Sequence, residues 1–280
     1  GALSQIGALT PGFGAPAGTE VLPNSVAVKN GLVAVAYAIR ETALGTQQIG
    51  KVAFFTAAGT FINAVDVGFL PDMLTFTPDG TKVLVANEAE PNEDYTNDPE
   101  GSISIINLAN GAINATVTTA DFTAFNSQKD ALIAAGVRIV KSDATVAQDV
   151  EPEYITFSAD GQTAWITLQE NNAIAVLDLP TNTITEIKPL GLKNHSLPGN
   201  GLDPSDRDSG INIRTVPVFG LYQPDAIASY TVNGQTYFIT ANEGDARVRP
   251  TGDGIVPGVD EGDIFNEEVR VGSSAYVLDP

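Results

Sequence analysis

The sequence predicts an all-β protein, a β-propeller built of four-stranded antiparallel blades. Three observations predict it: one strand–turn–strand grammar recurs four times, a turn dipeptide falls at the same point of each recurrence, and the flanking runs are rich in Val, Ile, Thr, Phe and Tyr. Each recurrence is led by a proline and a polar residue: Pro23-Asn24, Pro71-Asp72, Pro152-Glu153 and Pro224-Asp225. The prolines are separated by 48, 81 and 72 residues, so insertions of different length stand between similar units. A β-sandwich is also all-β, but its strands do not recur with the same leading and turn signals.

Taken in order, the first unit (VAVKNGLVAVAY) turns at Asn30-Gly31 and the second (MLTFTPDGTKVLVANE) at Asp79-Gly80. The third (YITFSADGQTAWITLQEN) turns at Asp160-Gly161 and the fourth (AIASYTVNGQTYFITANEG) at Asn233-Gly234. These are favoured two-residue hairpin dipeptides, in which glycine supplies positive φ without steric cost. In the second and third units a further strand follows, from Ser102 to Leu108 and from Ala173 to Leu179, and then an outer strand in ANGAINATV and PTNTITEI. One short helix is expected at 121–136, where Phe122, Phe125, Leu132 and Ile133 share a helical face, Asp121 caps the start and Gly136 stops it. Residues 191–222 and 249–268, rich in Gly, Pro, Asp and Asn, read as long loops, which are uncommon in a compact domain unless functional. No apolar run approaches the roughly 18–20 residues of a membrane span.

Composition narrows the chemistry. The 280 residues carry 34 acidic and 14 basic side chains, a net charge of −20, with no cysteine and one histidine, His195. Such a field repels phosphate backbones, so nucleic acid is not an expected partner. Disulfides, thiolate metal sites, cysteine nucleophiles and multi-histidine centres cannot be built. Oxygen donors remain, the ligands of hard cations such as calcium. At 43% hydrophobic and 17% charged, the chain still has ample material for a core.

Three acidic constellations follow. The first is the insertion 88–100, where Glu88, Glu90, Glu93, Asp94, Asp98 and Glu100 place six acids in thirteen residues with no base. A solvated loop is the plain reading of such a run. Two carboxylates about 5 Å apart, however, repel by roughly 3 kcal/mol at an effective dielectric near 20, a cost that a bound cation removes. The second comes from the repeat: Asp72, Glu153 and Asp225 follow leading prolines, and Glu88, Glu170 and Glu243 close the hairpins' second strands. Equivalent positions of successive blades surround one axis, so these acids form either a ring at the channel mouth or caps on backbone N–H groups. The third is the loop HSLPGNGLDPSDRD, where Asp203, Asp206 and Asp208 are candidate cation ligands and Arg207 a candidate anion ligand. Arg247 is a second candidate for an anion. Ser196 beside His195 is a poor nucleophile–base pair, because neighbours in sequence rarely reach the required geometry, and no G-x-S-x-G elbow exists.

The strings LPDMLTFTPDGTKVLVANEAEPN, ATVAQDVEPEYITFSADGQTAWITLQENNAIAVLDL, HSLPGNGLDPSDRD and TANEGDAR resemble the choice-of-anchor I family. The resemblance implies a secreted or surface-anchored bacterial propeller, of a kind abundant in cyanobacteria and related to mesenchyme-specific cell surface glycoproteins. It implies about seven blades, of which this chain is expected to hold about four to five in a single propeller domain over 1–280, incomplete at both ends. Many members are labelled alkaline phosphatase-like, but the resemblance carries over no catalytic residue. Two functions are therefore expected: a cell-surface binding scaffold with calcium at an acidic mouth and a surface or matrix partner, or a metal-dependent phosphomonoesterase acting on a phosphate ester at the same mouth.

Overall fold

The structure, a computed structural model, describes residues 8–9, 15–43, 45–92, 95–205, 208–249 and 265–266. Its backbone is a succession of antiparallel sheets. The first blade holds β1 (Thr19–Lys29), β2 (Leu32–Glu41), β3 (Gln47–Thr56) and β4 (Phe61–Phe69). The second holds β5 (Pro71–Phe76), β6 (Lys82–Asn87), β7 (Ser102–Asn107) and β8 (Thr116–Asp121). The third holds β9 (Pro152–Phe157), β10 (Thr163–Leu168), β11 (Ala173–Asp178) and β12 (Thr183–Pro189). After a two-stranded arm of β13 (Lys193–Asn194) and β14 (Phe219–Gly220), the hairpin β15 (Pro224–Val232) and β16 (Gln235–Asn242) opens a fourth unit. A last small pair joins β17 (Val248–Arg249) to β18 (Phe265–Asn266).

Each sheet follows sequence order, and β1 packs on β5, β5 on β9 and β9 on β15. The first strand of every unit is thus innermost, which is the β-propeller arrangement. The described residues contain three complete blades and the hairpin of another. Blade packing supplies the core. Ala34, Val52 and Phe54 of the first blade meet Leu74, Val83, Val85 and Ile106 of the second. Met73, Leu84, Ile103 and Ile105 of the second meet Ile155, Ile166 and Leu177 of the third. Between the third blade and the last hairpin, Trp165 stands edge-on to Phe238 with ring centroids 4.7 Å apart.

Prolines lead β5, β9 and β15 as the sequence predicts, because a strand's first residue need not donate to the ladder. In β1 the proline lies inside the strand, and the ladder is broken there instead. All four innermost strands share that break. Register shifts fall between Pro23 and Ser25, Pro71 and Met73, and Pro224 and Ile227, and opposite the stretch after Pro152. Asn24 and Asp72, and the pairs Glu153-Tyr154 and Asp225-Ala226, are left out of the ladder at these bulges.

The turns divide into two kinds. Asn30-Gly31 and Asn233-Gly234 are two-residue turns with positive φ at both positions (50° and 79°; 52° and 78°). Asp79-Gly80 and Asp160-Gly161 lie instead in the longer loops 77–81 and 158–162. There the aspartate builds the turn itself: Asp79 accepts from the Thr77 hydroxyl and from the amide and hydroxyl of Thr81, and Asp160 from Ser158 and Gln162. The third and fourth strands of the first blade carry no Asn-Gly or Asp-Gly dipeptide and stand outside the repeat read in the sequence.

The expected helix is a 3₁₀ turn (Thr123–Gln128) continued by α1 (Lys129–Ala135) and closed by Gly136 at φ 105°. Asp121 accepts the Thr123 amide at its start. Phe122, Phe125 and Leu132 are buried on the second and third blades, but Ile133 is 47% exposed. The 3₁₀ turn winds at three residues per turn, so a face drawn at 3.6 drifts off the core by that point. A second helix, α2 (Val146–Asp149), begins in a capping box formed by Thr145 and Gln148. Among the described residues no helix is long and apolar enough to cross a membrane.

Gly101 joins the second blade to the segment before β9. Its amide donates to Ala147 O at 2.9 Å, and a Cβ there would lie 2.2 Å from Val150 O. Gly101→Ala is expected to destabilise the protein by about 1–3 kcal/mol or more, since backbone cannot give way as a flexible side chain can. Gly210→Ala, where a Cβ meets nothing within 4 Å, should change the unfolding free energy measured in urea by no more than about 0.5 kcal/mol.

Candidate functional site

The bulges decide where the acids go. An extra residue outside the ladder bends its strand and re-aims its side chain. Asp72, Glu153 and Asp225 all occupy such positions on neighbouring innermost strands: burial, then the charge of Asp225, raises Asp72 against a hydrogen bond with Glu153 that lowers it, and burial, then charges that include Asp72 and Asp225, raises Glu153. Asp72 and Asp225 belong to units separated by the third blade, and the charge of Asp225 still reaches Asp72. Asn24, the equivalent in the first blade, donates to Pro71 O at 3.2 Å and ties the two blades together.

The ends of the second strands supply further carboxylates. Glu88 follows β6, and its amide donates to Leu70 O at 2.9 Å. Ala89, buried and at φ 60°, turns the chain sharply, and the charge of Glu90 then acts on Glu88. Burial, then the charges of Glu153, Glu151, Glu90 and Asp72, push Glu88 well above the carboxylate range. Burial and the charges of Glu170, Asp72, Glu151 and Asp225 push Glu153 up to about 10. Glu170 is raised to about 7 by burial, with Arg247 opposing and Asp245 reinforcing the shift. One of its oxygens, Oε2, is buried with no hydrogen-bond donor among the described residues.

The amides beside these acids are structural. Asn87 accepts from Gly68 N and donates to Ser102 and Ser104, closing the sheet behind the mouth. Asn171 donates to Arg138 O and to Asp149, and Asn172 accepts from Tyr222 N and Gln223 N, joining the third blade to the fourth unit.

Arg247 is placed otherwise than expected. Its guanidinium is 3% exposed, 3.3 Å from Asp149 Oδ1 and 2.9 Å from Glu151 Oε1, and it donates to Asp149 O at 2.9 Å. Burial pulls its pKa down, but Glu151, Asp149 and Glu170 outweigh burial and the net shift is upward. The anion that Arg247 holds is therefore the chain's own pair of carboxylates. Asp149 also accepts the amides of Val140 and Lys141, so it is a fully engaged structural acid.

The remaining expected residues lie elsewhere. Asp98 is half-buried, raised by burial and lowered by Lys141 and Arg247, and its carbonyl accepts from Gln148. Glu243, the repeat equivalent of Glu88 and Glu170, is exposed, and Asp245 is the acid of that segment whose charge raises Glu170. Asp203 accepts the amides of Ser205 and Asn212, and Asp208 that of Gly210, so both shape their own loop. His195 Nδ1 meets Asn200 O at 2.6 Å while Ser196 donates to Asn194, which leaves no serine–histidine pair. Asp94, Asp206 and Arg207 lie outside the described residues. Asp149, Glu151 and Asp245 were missed; the Glu-Pro-Glu run at 151–153 and the Thr145–Gln148 capping box were the available signals for the first two.

The donor set is carboxylate oxygen throughout, suited to a hard cation. Among the described residues no three Asp, Glu or His side chains are gathered tightly enough to hold one ion. These carboxylates stand as separate groups, and burial together with neighbouring charges raises Asp72, Glu88, Glu153 and Glu170.

A family model of the choice-of-anchor I domain matches residues 8–276. No protein of curated function matches the chain in sequence. Among solved structures, the β-propeller domain of Cps50 (Swd1) from Myceliophteria thermophila is 9% identical at a TM-score of 0.42, covering 74% of this chain and 47% of that one. A functionally unknown protein from Desulfotomaculum acetoxidans is 13% identical at 0.41, covering 78% and 49%. The β-propeller domain of the Trilobed protease from Pyrococcus furiosus is 11% identical at 0.34, covering 61% and 44%. The chain spans about half the length of the first two.

Two outcomes follow from the site. Arg247→Met should cost about 3–5 kcal/mol, because it leaves Glu151 buried without its counter-charge, and Glu151→Gln in the same chain should recover part of the loss in urea unfolding. In metal-free protein the folded state holds protons that the unfolded chain releases, since Glu153 stands at about 10 against 4.5 unfolded. Stability from this group is full below about pH 4.5 and is lost as pH rises toward about 10. Unfolding midpoints between about pH 5 and 9 should fall for wild type, and the slope should flatten in Glu153→Gln.

Proposed function

The chain belongs to the choice-of-anchor I domain family, and from that premise we propose that it is a secreted or cell-surface propeller whose acidic mouth binds hard divalent cations, calcium foremost, and presents them to a surface or matrix partner. One observation carries the reading: burial, then the charges of neighbouring carboxylates, raises Asp72, Glu88 and Glu153, with Asp225 among the acting charges, so acids from three units are gathered where their charge is penalised. Carboxylates held in that way are costly without a counter-charge, and Arg247, the guanidinium beside them, is committed to Asp149 and Glu151. A divalent ion bound there removes the repulsion and keeps water in its outward positions, which an anionic group of a partner can replace. The phosphomonoesterase alternative needs a cationic group on the transferring phosphoryl, and Arg247, its candidate among the described residues, is already paired.

Calorimetric unfolding of metal-free protein with added CaCl₂, against KCl at equal ionic strength, tests the proposal. Calcium at about a hundred times its dissociation constant should stabilise wild type by about 2.7 kcal/mol. Glu88→Gln and Glu153→Gln should lose most of that gain. Absence of any shift with calcium, magnesium or manganese would defeat the proposal. Turnover of a chromogenic phosphate ester that disappears in Glu88→Gln would replace the scaffold by the hydrolase.

A further inference from the structure

We propose that the cleft between the hairpin loops of the second and third blades binds a neutral saccharide, the mono- or disaccharide end of a glycan. The cleft lies at the ends of β5 and β9 away from their bulges, about 20 Å along the strands at the usual rise per residue. The proposal is therefore independent of the cation-binding reading of the acidic mouth.

Loops 77–81 and 158–162 line a cavity of about 350 Å³. Small-molecule sites run from about 300 to 1,000 Å³. Printed contacts join its two walls: a Cβ placed on Gly161 would lie 3.6 Å from Pro78 Cδ, and Lys82 Nζ donates to Leu179 O at 3.3 Å. The junction of the first and second blades is built differently. There a two-residue turn brings the Lys29 ammonium to Pro78 O at 2.7 Å and places Asn30 Nδ2 3.0 Å from where a Gly80 Cβ would stand. Side chains thus span the first junction, whereas the longer loops on both sides of the second leave an opening.

The lining decides the ligand class. Asp79 is held by Thr77 and Thr81, and Asp160 by Ser158 and the Gln162 amide, so each carboxylate is fixed in place. Those bonds, from Thr77 first on Asp79 and from Ser158 first on Asp160, hold both carboxyls below the usual range, and both are ionised acceptors at neutral pH. On the donor side, Lys82 has three ammonium hydrogens, one of which meets Leu179 O, and Gln162 brings an amide that donates and accepts. Pro78, Leu179 and Pro180 supply apolar wall. A sugar hydroxyl both donates and accepts, and a pyranose ring adds C–H faces for the prolines, so a neutral saccharide satisfies the whole lining. Two ionised carboxylates and a net charge of −20 disfavour an anion, and Lys82 disfavours a simple cation.

Saturation-transfer difference NMR of EDTA-treated protein, with methyl α-D-glucopyranoside, methyl β-D-galactopyranoside, N-acetylglucosamine and maltose as probes, tests the proposal. At least one probe should show transfer with a millimolar dissociation constant. Gln162→Ala, which removes an exposed side chain, and Asp160→Asn, which keeps an acceptor for the turn, should each weaken that binding about fivefold or more with the melting temperature unchanged. Glu153→Gln, in the acidic mouth, should bind the sugar as wild type does. Transfer to none of the four probes, or binding undiminished in both loop variants, would overturn the proposal. Binding of inorganic phosphate or of glycine that the same variants abolish would also overturn it, by giving the cleft to an anion or a zwitterion.

Discussion

The bulge after the leading proline of each innermost strand is the constraint on which the rest of this structure depends. Proline brings no N–H to the ladder, so the sheet can begin there, and the residue that follows drops out of register. That single backbone irregularity starts a blade and turns one side chain out of the pleat. Repeated on neighbouring blades, it brings Asp72, Glu153 and Asp225 within reach of one another's charge. The same device with asparagine, in the first blade, yields a blade-to-blade hydrogen bond instead. One backbone motif therefore serves assembly and chemistry, and the side chain decides which.

Crowding carboxylates opposes folding, and the fold offsets the cost in two ways. Apolar contacts between successive blades hold the inner strands together irrespective of what stands at their ends. Arg247 then divides the acids into two classes. Asp149 and Glu151 become a paired, buried clasp that draws the loop after β16 onto the third blade, Glu170 is only partly compensated by Arg247, and Glu88 and Glu153 are raised by burial and by their neighbours' charges. The distinction between structural and available acids thus comes from the reach of one guanidinium.

Much of the fold was legible because local sterics and hydrogen bonding write it into short strings. Asn30-Gly31 and Asn233-Gly234 take positive φ at both residues, and the prolines at 71, 152 and 224 mark strand starts. The reading failed where a short string allows two local solutions. Asp79 and Asp160 could sit in two-residue turns or, as they do, accept hydrogen bonds inside longer loops. Phe122 to Leu132 bury as expected while Ile133 does not, because a 3₁₀ start and an α-helix project side chains at different angles. Of the site, the acids after the prolines and at the strand ends were visible as repeats. Glu243 matched the repeat and proved exposed, whereas Asp245, with no repeat to mark it, is the acid of that segment whose charge raises Glu170.

By itself, then, the sequence determined an all-β chain of recurring blades, an excess of oxygen donors without sulfur or imidazole to rival them, and the periodic placement of acids at blade ends. Those properties depend on residue type and on neighbours a few positions away. Only the tertiary structure decided which acids confront each other and which are neutralised. Arg247 and Asp149 are 98 residues apart and meet because the blades pack around a common axis. That packing sums many weak apolar contacts between distant strands, and no local period in the chain encodes the charges it brings together.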